Sequence, residues 1–230
     1  MQTKIPFSFK VVIVLVWALP QMSTDIYLPS MPSMAHYFGT SLSMVQYTIF
    51  FYTIGFSFGA LFFGPISDRI GRRPVILWSL VLAAFGCLIA LISTNLNLLF
   101  AARLIQGVAL VGVGSTMRAV TKDICTDKEE MAKFGALLGI AIPIAAAVAP
   151  VIGGYIEQYA NWRISFAFLL VYTLIFLMYT VKKLPETNHE KLERPFKFLL
   201  LDYKEVLTNG QFFRYNAITA FALCSMFAYL

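Results

Sequence analysis

The stretch Gly64-Pro65-Ile66-Ser67-Asp68-Arg69-Ile70-Gly71-Arg72-Arg73-Pro74 separates two long apolar runs, Ser43–Phe63 and Val75–Ser93. Each run is close to the roughly 20 residues that a helix needs to cross the hydrocarbon core of a bilayer. The connection is therefore a very short turn at a membrane surface. Gly64 and Gly71 allow close approach and a sharp turn, while Pro65 and Pro74 limit where helices end and restart. Arg69, Arg72 and Arg73 crowd the turn with one acid, Asp68. Basic turns of this kind mark the cytoplasmic side.

Composition agrees with a membrane chain. The 230 residues are 59% hydrophobic and 13% charged, with a mean hydropathy of +0.73. A soluble domain would carry about twice that charge. The first apolar run lacks a small-residue cleavage site, so it reads as a span rather than a signal peptide. The net charge of +6 raises the question of a nucleic-acid partner. The basic residues fall in short loops between spans, so membrane topology accounts for them and no nucleic acid is expected.

Spans are expected at about 10–29, 43–63, 75–94, 98–120, 134–156 and 164–181, with a seventh apolar run from Phe212 to Leu230. The loops Ser30–Leu42 and Thr94–Asn97 hold no Lys or Arg, whereas those bearing Arg69 to Arg73, Lys122 to Lys133 and Lys182 to Lys204 are basic. This pattern puts the N-terminus inside and gives six crossings before the longest loop. Arg163, beside Trp162, is the outer-side exception. Three domains are expected: residues 1–181 as a six-helix unit, 182–210 as a cytoplasmic loop, and 211–230 as the start of a seventh helix. Within the loop, Phe196, Leu199, Leu200, Tyr203, Val206 and Leu207 form one apolar helical face. That face fits a membrane surface or a protein surface equally.

Several residues stand out for chemistry. Spans one and four each read as carrying a single charge, Asp25 and Arg103. An intramembrane carboxylate marks a functional site by default; the other reading of Asp25 is an acid facing the outer headgroups, since Pro29 is near. Arg103 and Asp25 both lie roughly 6–8 Å below the outer surface by helical rise, at matching depth; Arg103 snorkelling outward is the other reading. Gln106 and Gly107 follow Arg103. In span five, Ala141, Ala145, Ala149 and Gly153 recur every four residues beside Pro143 and Pro150, a stripe that permits close helix packing. Gly55 and Gly59 make a second such pair. Asp123 is placed to meet Arg72 or Arg73, or to remain a solvated loop charge. Cys87, Cys125 and Cys224 lack metal or redox spacing and are expected as free thiols. His36 and His189 lie in loops without a metal-like partner. No cofactor, metal site or enzymatic constellation is expected.

The turn Gly64, Asp68, Arg69, Gly71, Arg72, Arg73 resembles the loop between helices 2 and 3 of the major facilitator superfamily. Arg103-x-x-Gln106-Gly107 resembles its helix-4 motif, whose arginine is linked with proton coupling. Pro150, Gly153 and Gly154 match the helix-5 antiporter motif, with Ala149, Ala136 and Ala145 replacing glycines. The run Ser23-Thr24-Asp25-Ile26-Tyr27-Leu28-Pro29-Ser30-Met31-Pro32 narrows the resemblance to drug:proton antiporters of the Bcr/CflA type. The resemblance implies an all-α membrane fold, the N-terminal half of a two-half transporter, built from two inverted three-helix repeats. It implies export of drugs or other lipophilic small molecules across the inner membrane by alternating access. Protons entering from outside would bind Asp25 and displace the substrate, with the Gly64–Arg73 turn as the cytoplasmic gate. The missing partner is then a C-terminal six-helix half, the chain being a fragment or truncated relative of a transporter about 400 residues long. The alternatives are a non-transporting membrane remnant and an importer of a small metabolite.

Overall fold

The computed structural model describes residues 7–125, 127–188, 208 and 210–229; the expected amphipathic segment 196–207 lies outside them. The described elements are α1 (Phe7–Asp25), a 3-10 turn (Leu28–Ser30), α2 (Met31–Phe38), α3 (Leu42–Ile70), α4 (Arg72–Leu91), α5 (Leu96–Ile124), α6 (Lys128–Tyr159), α7 (Trp162–Lys183) and α8 (Gly210–Tyr229). There is no strand among the described residues. Six segments are long and apolar enough to cross a membrane, the first running through α1, the 3-10 turn and α2. The chain separates into two units, Met1–Lys191 and Leu192–Leu230.

Local chemistry sets most of the helix ends. Ser41, Asn95, Asp127 and Asn161 each cap a helix by accepting a backbone N–H with the side-chain oxygen. Pro29 and Pro32 sit in the first positions of the 3-10 turn and of α2, where a missing N–H costs nothing. They turn the expected loop at 30–42 into a short helix, ended by Gly39 in the left-handed conformation. The expected loop at 64–74 shrinks further. Pro65 lies inside α3, and Gly71 is the one residue between α3 and α4. Its φ of 118° is open to glycine and strained for any other residue. The helices thus run past the apolar stretches that hydropathy measures.

Within the first unit, helix pairing follows a two-fold pattern. Counting six spans, the first packs on the fifth (α1 on α6) and the second on the fourth (α3 on α5), while the third and sixth pack on each other (α4 on α7). Those are pairings two inverted three-helix repeats produce; α4 also packs extensively along α5, a contact that α1 and α7 match only weakly. Close backbone approach makes the pairing possible. A Cβ on Gly153 would overlap the Ile26 carbonyl, and a Cβ on Gly55 would overlap the Leu104 carbonyl. The stripe Ala141, Ala145, Ala149 and Gly153 is buried, while Ile140, Ile144, Val148, Val151 and Tyr155 of the same helix are exposed. On α3, Val45, Thr48, Tyr52, Gly55 and Gly59 are buried, and Tyr47, Phe50, Ile54 and Phe58 face outward. Large apolar side chains on the outside and small ones at the seams are the pattern of helices packed in lipid. Cys87 and Cys125 are free thiols.

Gly153→Ala is expected to push α1 from α6 and cost about 1–3 kcal/mol of stability by overpacking. Gly154→Ala, next to open space, should be neutral. Thermal unfolding of both variants in detergent checks this pair.

Candidate functional site

At the end of the bundle near Asp25, the central feature is a buried cation. Arg103 is completely buried on α5. Its guanidinium lies between two tyrosine rings, 4.6 Å from the centroid of Tyr27 and 4.4 Å from that of Tyr52. Both rings are held by their hydroxyls: Tyr27 bonds Thr48 (3.0 Å), and Tyr52 donates to the Pro20 carbonyl (2.9 Å). Arg103 Nη1 donates to the Ser23 carbonyl (3.0 Å), to Ser23 Oγ (3.3 Å) and to Gln106 Oε1 (2.7 Å). Gln106 Nε2 in turn donates to Cys87 Sγ (3.1 Å). Arg103 Nε and Nη2 are buried without a hydrogen-bond partner.

Burying an ion costs several kcal/mol even after relaxation. A desolvated cation–π contact returns about 2 kcal/mol, and a hydrogen bond from a charged group about 1.5–3 kcal/mol. Two rings and the two N–H groups of Nη1 offset part of that cost, while Nε and Nη2 stay unpaired. Asp25, half-buried, accepts instead from Gln21 Nε2 on its own helix, at 2.6 Å. The two charges come to matching depth, since Arg103 reaches Ser23 two residues before Asp25, but they form no ion pair in this structure.

The opposite end gathers the second cluster. Arg72 Nη1 donates to Asp68 Oδ1 and to Ser67 Oγ, and Arg72 Nε donates to Asp123 Oδ2 at 3.1 Å. Arg73 Nη2 donates to the Val181 carbonyl at 2.8 Å. Arg69 sits in the last turn of α3. Gly64 lies inside α3 with open space beside it. Glu186, which no periodicity or motif marks, completes the cluster. It caps α4 by accepting the Arg72 N–H (2.8 Å) and the Arg73 N–H (3.2 Å). A Cβ on Gly71 would overlap this carboxylate. Thr187 Oγ1 donates to Asp123 (3.1 Å), and Asn188 Nδ2 donates to the Asp68 carbonyl (2.8 Å). The chain leaving α7 is thereby tied to the ends of α3, α4 and α5. Burial pushes the Glu186 carboxyl up, but the backbone N–H groups of Asn188, Arg72, Arg73 and Thr187 outweigh it and hold it below the usual carboxylate range.

Between the clusters, α1, α3, α5 and α6 line an open cavity of about 410 Å³ whose walls include Trp17, Pro20, Gln21, Phe56 and Arg118. Arg118 corrects the expectation of one charge on span four, since it too lies on α5. Pro150 lies inside α6, and Gly153 meets Ile26 just beyond the end of α1, while Gly154 faces open space. Among the described residues no group of His, Cys, Asp and Glu is arranged to hold a metal.

A carboxylate with a depressed pKa stabilises at pH above its ordinary range and stops doing so as pH falls through the folded value. The Glu186 cap is thus expected at full strength at neutral pH and to weaken on acidification below the ordinary carboxylate pKa of 4.5. Glu186→Gln should lose the charge at the α4 N-terminus, roughly 0.3–1 kcal/mol, and lose this acid limb. Stability measured against pH in both proteins checks it.

Multidrug resistance protein D of Escherichia coli is 33% identical over 222 residues, 93% of this chain and 55% of that protein. The bicyclomycin resistance protein homolog of Haemophilus influenzae is 31% identical over 245 residues, 100% of this chain and 58% of that one. The chain spans about half the length of these relatives. The chloramphenicol resistance protein CraA of Acinetobacter baumannii is 25% identical over 191 residues, 83% of this chain and 46% of that protein. The crystal structure of the human organic anion transporter MFSD10 shares the fold, with a TM-score of 0.66 at 20% identity over 85% of this chain and 53% of that one. Residues 13–230 match the sequence profile of the Major Facilitator Superfamily, and the chain, a multi-pass membrane protein, belongs to that family.

Proposed function

We propose that this chain forms the N-terminal half of a proton-coupled exporter of drugs or other lipophilic small molecules, working by alternating access. The observation that carries the reading is Arg103, a fully buried cation without an ion pair, held beside the half-buried carboxylate of Asp25. A cation set against rings and dipoles, with no carboxylate bonded to it, leaves nearby Asp25 free to take up and release a proton as the site changes shape. Asp25 is the proton carrier. Arg103 biases its charge, and Gln106 fixes Arg103. The Asp68–Arg72–Asp123 cluster, closed by Glu186, gates the cytoplasmic side. Gly153 forms the close seam where α6 meets Ile26, with Pro150 one turn before it and Gly154 beside it as the rest of the antiporter-like motif.

The orientation follows the basic loops, which place the N-terminus in the cytoplasm and the Asp25 end outward, in an inner membrane. Residues 1–181 form the six-helix unit, 182–210 the central loop, and 211–230 the first part of the second half, which supplies the other wall of the substrate path. The drug-resistance relatives support export over import, and the aromatic lining of the cavity at Trp17 and Phe56 suits lipophilic substrates.

In proteoliposomes, addition of a transported drug is expected to drive proton movement, and Asp25→Asn is expected to abolish it while leaving drug binding within a few-fold. Undiminished proton movement in Asp25→Asn would remove Asp25 from the mechanism.

A further inference from the structure

We infer that the cavity at Arg118 takes organic anions, small molecules with an aromatic body and one carboxylate or sulfonate. The inference rests on the transport reading above and names the substrate charge which that reading leaves open. Arg118 is exposed into the 410 Å³ cavity, and a second cavity of about the same volume adjoins it. The two share Ser115 and Arg118, and the second adds Lys122 nearer the end of α5. Val111, Ser115, Arg118 and Lys122 follow a spacing of four, three and four residues, so one face of α5 presents them all. No Asp or Glu lines either cavity.

Other arginines of the bundle have bonded contacts, Arg73 among them through the Val181 carbonyl. Arg72 pairs with Asp68 and Asp123. Arg103 has its rings and acceptors. Arg163 bonds Tyr37 and the Ser93 carbonyl. Arg118 has one described contact, the face of Trp17 at 5.0 Å, and no ion pair among the described residues. The indole is itself fixed, since Trp17 Nε1 donates to the Leu138 carbonyl at 3.1 Å. A snorkelling arginine would extend toward the headgroups beyond Ile124; this one lies over the Trp17 ring of α1. A guanidinium presents a planar fork of donors matched to a carboxylate or sulfonate. Trp17 and Phe56 supply flat walls for an attached ring. Lys122 at the mouth adds positive potential that draws anions inward.

The test is calorimetric binding to the purified protein of three probes of one shape: 2-naphthoate, 2-naphthylmethylammonium and neutral 2-naphthamide. The wild type is expected to bind the anion about tenfold or more tighter than the cation. Arg118→Gln should erase that difference without weakening the amide, and Arg118→Lys should keep most of it. Equal binding of the two ions by the wild type, no binding of 2-naphthoate, or loss of all three probes in Arg118→Gln would overturn the inference. Binding at equilibrium needs no proton gradient. Drug addition that drives no proton movement in wild-type proteoliposomes would thus sink the transport reading and leave the charge preference standing; the converse pair of results would do the reverse.

Discussion

A fully buried guanidinium constrains everything near it. Arg103 must find acceptors and ring faces within its own reach, and three helices supply them: Ser23 at the end of α1, Tyr52 from α3 and Gln106 one turn along α5. Tyr52 gets there because α3 and α5 touch through backbone. A Cβ on Gly107 would overlap the Tyr52 carbonyl, and one on Gly55 the Leu104 carbonyl. The small residues of these helices are therefore more than packing. They bring the ring to the charge, and Gly153 does the matching work where α6 meets Ile26.

The same helix links the two ends of the molecule. Arg103 stands near the start of α5 and Asp123 near its finish, on the order of 30 Å apart at helical rise. At the far end the carboxylates of Asp68, Asp123 and Glu186 converge on Arg72 and on the first N–H groups of α4. Glu186 places negative charge where the helix dipole favours it, and its neighbours Thr187 and Asn188 bond α5 and α3. Ions tie the unit at one end and a buried cation at the other, so both ends of α3 and α5 are held.

The sequence carried the fold class openly. Apolar runs of span length, a turn of six motif positions and the bias of basic loops fix an all-helical membrane chain before any coordinate is known. The stripe of small residues on α6 and the pair on α3 were legible because four-residue spacing maps directly to one helix face. Helix ends were less legible. Hydropathy reports how long a helix stays apolar, whereas Gly71 and the caps decide where it stops. Helix α2 hid among prolines that read as a loop. Glu186 was invisible because its partners, Arg72 and Arg73, lie more than a hundred residues away and a carboxylate in a polar segment has no period. Arg118 lay in plain view within span four, but its significance is three-dimensional: it depends on which groups do not face it.

The account stands on Arg103 acting on Asp25 through space. Its most direct test counts the protons released when a transported drug binds the detergent-solubilised protein, in the wild type and in Arg103→Gln. If Arg103 sets the charge of Asp25, drug binding in the variant persists but its proton release is lost or clearly reduced. Proton release per bound drug that is unchanged in Arg103→Gln would contradict the account.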